Sequence, residues 1–219
     1  MTEAKLETSR TRVHRHAERG SYDLRQICEI LDAGRVCHVG WVDAGRPIVL
    51  PTAYGRVGEF LILHGAAEGR FMKTLESGCE ICVTVTLVDG LVLARSAFHS
   101  SMNYRSVVIF GHAQAIVERK EKLRALDSLV EHLVPRRLAE VRPTTQKELA
   151  ATTVVRLPLV EASAKIRTGG PNDPKADLSL PIWAGVVPLT LAAGSPIPDP
   201  LSGSMELPGS VVTALGEGL

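Results

Sequence analysis

Apolar and polar positions along the chain alternate, or form short aliphatic runs, in a way that predicts many β-strands. Three strands are predicted at residues 36–42, 47–54 and 59–63, where β-branched and aliphatic residues are concentrated. Residues 55–58 contain two glycines and have the composition of a hairpin turn. We therefore expect these three strands to form one antiparallel meander.

Further strands are predicted in the middle and the second half of the chain. Asp89 and Gly90 have turn chemistry and divide one apolar stretch into two strands. Pro158 interrupts the last stretch, and because proline lacks a backbone N–H, we expect an edge strand or a bulge there. The predicted strands cover residues 80–88, 91–94, 104–117 and 152–165.

Three segments have the period of helices. The first is predicted from residue 22 or 23 to about residue 33, with Ser21 as its N-cap. Residues 69–77 are predicted to form a short helix, and residues 118–133 a longer one that ends before Pro135. About six strands with helices in their connections favour an antiparallel barrel over alternating βαβ units.

Composition indicates one domain of ordinary size with flanking segments. The chain has 219 residues, of which 45% are hydrophobic, and this is enough to bury a core without disulfides or metals. Residues 1–20 are predicted to be a basic arm and residues 21–189 the folded domain. Residues 190–219 are rich in Pro, Gly and Ser, and we expect a tail that is poorly ordered or lies against a partner.

The charge balance excludes some classes of partner. A net charge of +1 gives no overall field that would favour nucleic acid or an anionic membrane. The basic arm lacks interleaved aromatic residues and a helix that could contact the bases of a nucleic acid. We therefore expect an arm that is solvated or packs against the partner subunit of a dimer, rather than one that binds nucleic acid. No apolar run is long enough to span a membrane, and the N-terminus is polar and unlike a signal. We expect a cytoplasmic location.

The four cysteines are too few for a disulfide framework in a chain of this length. Cys79 and Cys82 form a C-x-x-C motif, but it opens a predicted strand, on which positions three apart face opposite sides. A zinc site would need a second pair, and Cys28 and Cys37 have the wrong spacing. We expect reduced core thiols and no metal site.

A turn of small residues leads into the short predicted helix and has the character of a phosphate site. Backbone N–H groups near Gly69 and Arg70 would lie at the positive end of the helix, where an anion is stabilised. The Arg70 guanidinium offers a planar fork of donors to a phosphate, and Lys73 is a second cation one turn later. The alternative is a solvated helix face, which accounts for most surface cations.

Five segments of the chain carry a resemblance to one family. Residues 47–73 read PIVLPTAYGRVGEFLILHGAAEGRFMK and residues 103–113 read NYRSVVIFGHA; the others lie at 15–23, 165–167 and 183–188. In the expected order, they resemble the pyridoxamine 5'-phosphate oxidase-related FMN-binding split barrels. The resemblance is to the branch that includes nitroimidazole-resistance-type proteins, and it extends over roughly residues 12–190.

The resemblance implies a mainly β fold with flanking helices, namely a six-stranded antiparallel Greek-key split barrel of the FMN-binding type. It also implies a homodimer that holds FMN between its subunits, and a small-molecule substrate. The implied function is that of an oxidoreductase that transfers electrons or hydride through FMN. Oxidation of pyridoxamine phosphate itself is not expected, because the sequence AGVVPL after Trp183 lacks the arginine and histidine of the true oxidases.

The same resemblance assigns roles to individual residues. Arg70 resembles the arginine that holds the flavin phosphate, although relatives often continue with a lysine where this chain has Phe71. Ser106 stands where the family commonly has glutamine and reaches less far, so Arg105 or a water is expected to compensate. The predicted cofactor-binding residues are Leu50, Pro51, Thr52, His64, Gly65, Gly69, Arg70, Lys73, Arg105, Ser106 and Trp183.

Three of these residues also have a purely structural interpretation. Pro51 requires its strand to be free on one side, which leaves space for a ligand. His64 is either a structural residue at a strand end or a contact to flavin or substrate, and it is the catalytic candidate. Trp183 resembles the tryptophan that the neighbouring subunit lays against the flavin, or it is a core residue. Because Phe71 and Ser106 depart from the family pattern, the alternative function is a non-catalytic flavin- or haem-binding protein.

Overall fold

Antiparallel strands dominate the computed structural model, which describes residues 6–203 and 205–217. Residues 1–5 of the predicted arm and residues 204, 218 and 219 of the predicted tail lie outside the described residues. The described chain divides into two units. The first contains residues 6–34, 83–110 and 160–190, and the second contains residues 35–82, 111–159 and 191–217.

Eleven strands and five α-helices occur in the described residues. The strands are β1 (Gly20–Ser21), β2 (Val36–Asp43), β3 (Arg46–Ala53), β4 (Gly55–Val57), β5 (Phe60–Ala66), β6 (Glu80–Leu93), β7 (Ser101–His112), β8 (Gln114–Ala115), β9 (Thr152–Pro158), β10 (Ala162–Arg167) and β11 (Gly185–Pro188). The helices are α1 (Leu24–Ala33), α2 (Arg70–Glu76), α3 (Arg119–Leu133), α4 (Gln146–Ala151) and α5 (Gly209–Glu217). Short 3-10 segments lie at Ala17–Arg19, Ala97–His99, Arg137–Glu140 and Lys175–Asp177.

In the first unit the strands follow the order β1-β10-β7-β6, and β11 also pairs with β6. The pairings of β10 with β1 and β7, and of β11 with β6, are antiparallel. α1 buries Ile27, Ile30 and Leu31, because residues three and four apart lie on one face of a helix. These side chains anchor α1 in the core of the unit.

The start of α1 differs from the prediction. Asp23 is the N-cap, and its carboxylate accepts a hydrogen bond of 2.8 Å from the Arg25 backbone N–H. Ser21 was predicted for this position, and that prediction is wrong because Ser21 belongs to β1, where it lies opposite Ala164. The helix itself is confirmed.

The second unit contains a β2–β3 hairpin and a four-stranded sheet in the order β4-β5-β9-β8. α3 packs against β4, β5 and β9. Gly55 is buried, and a Cβ atom there would come within 3.1 Å of the Leu129 backbone nitrogen, so only glycine allows β4 to approach α3 this closely. The core between helix and sheet consists of Ile62, Ile116, Ala125, Leu129 and Val154.

The predicted meander is confirmed for its first two strands, which pair as β2 and β3, and is wrong for the third. In the described structure β3 pairs with β2, whereas β4 occupies residues that were predicted to be a turn and pairs with β5. The turn is shorter and lies at Gly58, whose φ of 57° suits glycine. The chain passes from one sheet to the other at Tyr54, which is fully buried.

Two other strand predictions also need correction. The predicted turn at residues 89–90 is absent from the described structure, because β6 continues through it and β11 pairs there, with Gly90 opposite Pro188. The stretch 152–165 divides into β9, which ends at Pro158, and β10, which pairs in the other sheet. The stretch 104–117 is interrupted at Ala113, between β7 and β8.

The predicted arm and tail both contain ordered contacts. In the first unit Arg10 forms an ion pair with Glu161, and Thr11 is buried. In the second unit the tail includes α5, where the Ser210 backbone N–H donates to Glu140 Oε1 at 2.9 Å. The absence of a clear period in the tail sequence gave no sign of this helix.

The predicted fold class is confirmed, because the protein is mainly antiparallel β with flanking helices and neither sheet closes on itself. It has more described strands than the six predicted, since β1, β4, β8 and β11 are only two to four residues long. Among the helices of the described residues, none is both long enough and apolar enough to cross a membrane.

Candidate functional site

A cavity of about 690 Å³ lies in the second unit, within the range typical of small-molecule sites. Its walls are largely apolar and come from the C-terminal half of α3 and the loop that follows it. The apolar lining residues are Leu126, Leu129, Val130, Leu133, Leu138 and Val141. Such a surface suits a large apolar ligand.

His64 is the imidazole that lines this cavity. It lies on β5 opposite Val154 of β9, and both strands are hydrogen-bonded in the sheet, so its backbone is held rigidly. Its Nδ1 atom is buried and has no hydrogen-bond partner. Burial lowers the pKa of His64, which favours the neutral imidazole. A neutral imidazole with an unpartnered nitrogen is suited to bind a metal ion or a ligand donor.

Acidification is expected to destabilise the ligand-free chain through His64. Because the folded-state pKa lies below the ordinary value of 6.5, the unfolded chain takes up this proton more readily. The contribution to stability is therefore complete above pH 6.5 and is lost as the pH falls through the folded-state pKa. Urea unfolding between about pH 7.5 and 5 measures it, and the free energy of unfolding should fall more in the wild-type chain than in His64→Asn. An equal fall in the free energy of unfolding in the two chains would contradict the burial of this side chain.

Arg142 and Glu148 are charged residues at the same cavity. The Arg142 guanidinium donates to both carboxylate oxygens of Glu148, with 2.9 Å from Nη1 to Oε2. Glu148 also accepts from the backbone N–H of Thr145 at 2.8 Å, as part of the capping box of α4. Arg142 and Thr145 hold the pKa of Glu148 well below its usual range, so this carboxyl stays ionised.

The predicted phosphate corner is formed by the start of α2. Gly69 is the N-cap, and Arg70 is the first helical residue. Arg70 is 77% exposed and pairs with Asp43, while Lys73 donates to Glu68 at 2.6 Å. Both cations therefore already have carboxylate partners, as the interpretation of a solvated helix face expects. Because exposed ion pairs are weak, a phosphate could displace either carboxylate.

Leu50, Pro51 and Thr52 lie on β3. Among the described strands β3 pairs with β2, so the prediction that the Pro51 strand is free on one side is confirmed. Leu50 and its neighbour Val49 are exposed although apolar. Thr52 Oγ1 donates to the Ala53 carbonyl at 3.3 Å. This edge can therefore accept a flat apolar ligand or a partner.

Three predicted residues lie in the first unit. Arg105 donates two hydrogen bonds to Asp89, at 2.9 and 2.8 Å, and Ser106 Oγ donates to the Lys165 carbonyl at 3.2 Å. Trp183 precedes β11 and is 66% exposed. Arg105 and Ser106 are therefore already satisfied within the protein, whereas the indole is open to a ligand or a second chain.

The structure separates His64 from the other predicted residues of the second unit. His64 lines the cavity, and the other seven do not. Gly65 has a packing role, because a Cβ atom there would come within 2.7 Å of the Met72 side chain. Arg142, Glu148 and the cavity face of α3 were not predicted from the sequence. The helix at residues 118–133 was predicted, but its sequence pattern does not show that one face lines a cavity.

The cysteines all lie in the described residues, and none of them forms a disulfide. Cys37 is buried, and burial raises its pKa to about 12, so this thiol is inert. Cys79 Sγ donates to the Thr74 carbonyl at 3.4 Å, and burial raises its pKa as well. Within the described residues there is no group of three or more His, Cys, Asp or Glu side chains placed to hold a metal ion.

Residues 23–166 match the family model described as pyridoxamine 5'-phosphate oxidase, and the chain belongs to this family. The chain is 39% identical to the flavocytochrome Anf3 from Azotobacter vinelandii, with 94% of this chain and 97% of that chain covered and a TM-score of 0.87. It is 36% identical to the FAD and haem binding protein from Mycobacterium smegmatis, with 90% and 97% covered and a TM-score of 0.86.

A more distant likeness is to a protein from Bacteroides thetaiotaomicron assigned to 5-nitroimidazole antibiotic resistance. Here the identity is 25%, the coverage is 67% of this chain and 86% of that chain, and the TM-score is 0.57. No curated protein matches the chain. The predicted family and its nitroimidazole-resistance-like branch are thus confirmed.

Proposed function

We propose that this protein is a flavocytochrome, which binds a flavin and a haem and transfers electrons through them. The single observation that carries the proposal is the apolar cavity with the unpartnered imidazole of His64. Two relatives support it, because both match over at least nine tenths of this chain and are named for flavin and haem, or as a flavocytochrome.

The cavity residues fit a haem. His64 is neutral and offers a ring nitrogen to iron, the usual proximal ligand of haem proteins. The apolar side chains of α3, such as Leu129 and Leu133, would pack against a macrocycle and exclude water from it. Arg142 is a cation at the same cavity for the carboxylates of such a ligand. When bound, a haem supplies one-electron redox chemistry.

The flavin site rests on the predicted set of residues. The backbone N–H groups at Gly69 and the Arg70 guanidinium suit a phosphate, which FMN and FAD both carry. The exposed apolar edge of β3 at Leu50 is a surface for a flat ring, and the family resemblance assigns the Trp183 contact with the flavin to the neighbouring subunit of the dimer. The family resemblance favours FMN, whereas the name of the M. smegmatis relative favours FAD. Chromatography of the flavin released by heating distinguishes the two.

The proposed assembly is a homodimer. Large apolar side chains of the first unit are exposed, among them Phe98 at 90% and Trp183, which is unusual for a surface that only water covers. Burial of these side chains against a second copy would explain the exposure. Sedimentation should then give twice the 23.6 kDa mass of the chain. A cytoplasmic location stays a prediction.

An absorbance spectrum tests the proposal directly. Purified protein supplied with haem and flavin should show a Soret band together with flavin bands. Bleaching of the flavin bands by a nicotinamide donor, followed by reduction of the haem, would support an oxidoreductase acting on a small molecule. Stable binding of both groups without any such transfer would favour the non-catalytic alternative. Protein that takes up neither group would contradict both.

Replacing Arg70 with alanine should weaken flavin binding. A charge-assisted contact with a phosphate contributes roughly 1.5–3 kcal/mol, which corresponds to about 10- to 100-fold in affinity. Fluorescence titration of the flavin-free chain measures the effect. The matched control is Arg25→Ala, which removes another exposed arginine that is paired with a carboxylate, Glu29. Equal affinities in the two variants would show that Arg70 does not hold the flavin phosphate.

A further inference from the structure

The His64 cavity combines an apolar wall with one strongly basic side chain. Arg142 is the only lysine or arginine among the described residues that line it. Its side chain is mostly exposed, so the guanidinium lies where the cavity meets water. A ligand that fits this arrangement has a large apolar body and carries its negative charge at the rim.

A ligand can displace the groups that contact Arg142 in this structure. Its guanidinium contacts Glu148 and the Pro143 carbonyl, and the ion pair with Glu148 is partly exposed on both sides. Exposed ion pairs contribute little to stability, so a bidentate carboxylate ligand can compete for the guanidinium.

Glu148 does not depend on Arg142 for its position. It also accepts hydrogen bonds from Thr145, at 2.8 Å from the backbone N–H and 2.9 Å from Oγ1. These bonds cap α4 whether or not the arginine is present. The Glu148 carboxylate therefore stays beside Arg142 and competes with a ligand carboxylate for the guanidinium.

We propose that Arg142 selects carboxylate-bearing tetrapyrroles for the His64 cavity, and that Glu148 limits their affinity by competing for the same guanidinium. The inference rests on the proposed haem function and adds to it the residue that distinguishes an acid from an ester. Arg142 thereby determines specificity, while His64 supplies the ligand to the metal.

Absorbance titrations of the ligand-free chain test the inference with two probes, haemin and haemin dimethyl ester. Arg142→Gln should bind haemin about 10-fold more weakly than the wild-type chain, whereas the affinity for the ester should not change. Arg142→Lys should recover part of the lost haemin affinity, because lysine keeps the positive charge but lacks the planar guanidinium. Arg119→Gln is the charge-matched control, since Arg119 is exposed on α3 and does not line the cavity.

Glu148→Gln should change the haemin affinity in the opposite direction. It removes the competing charge while glutamine preserves the capping box, so haemin should bind a few-fold more tightly. Unchanged haemin affinity in Arg142→Gln, or an equal loss for acid and ester, would overturn the role of Arg142. Unchanged affinity in Glu148→Gln would overturn the competition. No Soret band with the wild-type chain would overturn the haem proposal itself, and this inference with it.

Discussion

His64→Ala is expected to abolish tight haem binding and to remove the Soret band of the purified protein. Among the described residues that line the cavity, His64 is the only one of the His, Cys, Met and Tyr types that usually ligate haem iron. Loss of groups that merely orient a metal ligand weakens metal sites by about 10- to 100-fold, so loss of the ligand itself should exceed roughly 100-fold. Haemin titration of the ligand-free variant measures the change.

Two controls sharpen this experiment. Added imidazole should restore part of the Soret band, because it can occupy the space of the missing ring. His14→Ala removes an exposed histidine of the arm and should leave haem binding unchanged. Flavin affinity should be unaffected in His14→Ala, because His14 is not among the predicted flavin-binding residues. A His64→Ala variant with a normal Soret band would place the haem elsewhere.

Leu129→Ala is expected to lower the free energy of unfolding by about 2–5 kcal/mol. Leu129 is 3% exposed and packs in the core formed by α3 and the sheet, together with Ile62 and Val154. The truncation removes buried methyl groups, and the tightly packed backbone at Gly55 leaves little freedom to fill the space. Urea unfolding followed by circular dichroism measures the loss.

Val117→Ala is the matched control, because Val117 is 88% exposed and its truncation should change the free energy by less than about 0.5 kcal/mol. A loss below about 1 kcal/mol in Leu129→Ala would mean that α3 is not held against the sheet as described. The cavity would then lack the wall on which the haem proposal depends.

Local patterns predicted three of the five described α-helices, α1, α2 and α3, and missed α4 and α5. The apolar stripe of α1 and the charged and apolar faces of α3 were read from spacing alone, and both helices were confirmed. Such patterns succeed because the period of a helix is an internal property of the segment. The N-cap of α1 was misplaced by two residues, since Ser21 is drawn into a strand by a partner more than a hundred residues away.

Strand pairing was predicted less well. Nothing in residues 47–66 shows that the chain leaves one sheet at Tyr54 and enters another. The turn expected at residues 89–90 fails for the same reason, because β11 arrives from the C-terminal part of the chain and keeps β6 extended. Strand partners are chosen by contacts that are distant in sequence, and local composition carries little information about them.

The site was predicted only in part. A phosphate site at residues 69–73 was predicted from the order of residues and stays a prediction, whereas the family resemblance, recognised in the same way, was confirmed. His64 was identified as a candidate, but its cavity was not. Arg142 follows it by 78 positions and carries no motif, so no pattern in the chain connects the two residues.

The amino-acid order by itself determined the family, the antiparallel class and the periodic helices, because these depend on side-chain chemistry at short spacing. Tertiary structure alone decided that the apolar face of α3 leaves a cavity rather than a closed core, and that His64 and Arg142 line it together. A cavity is the volume that packing leaves empty. It is therefore a property of how distant segments meet, and no single segment encodes it.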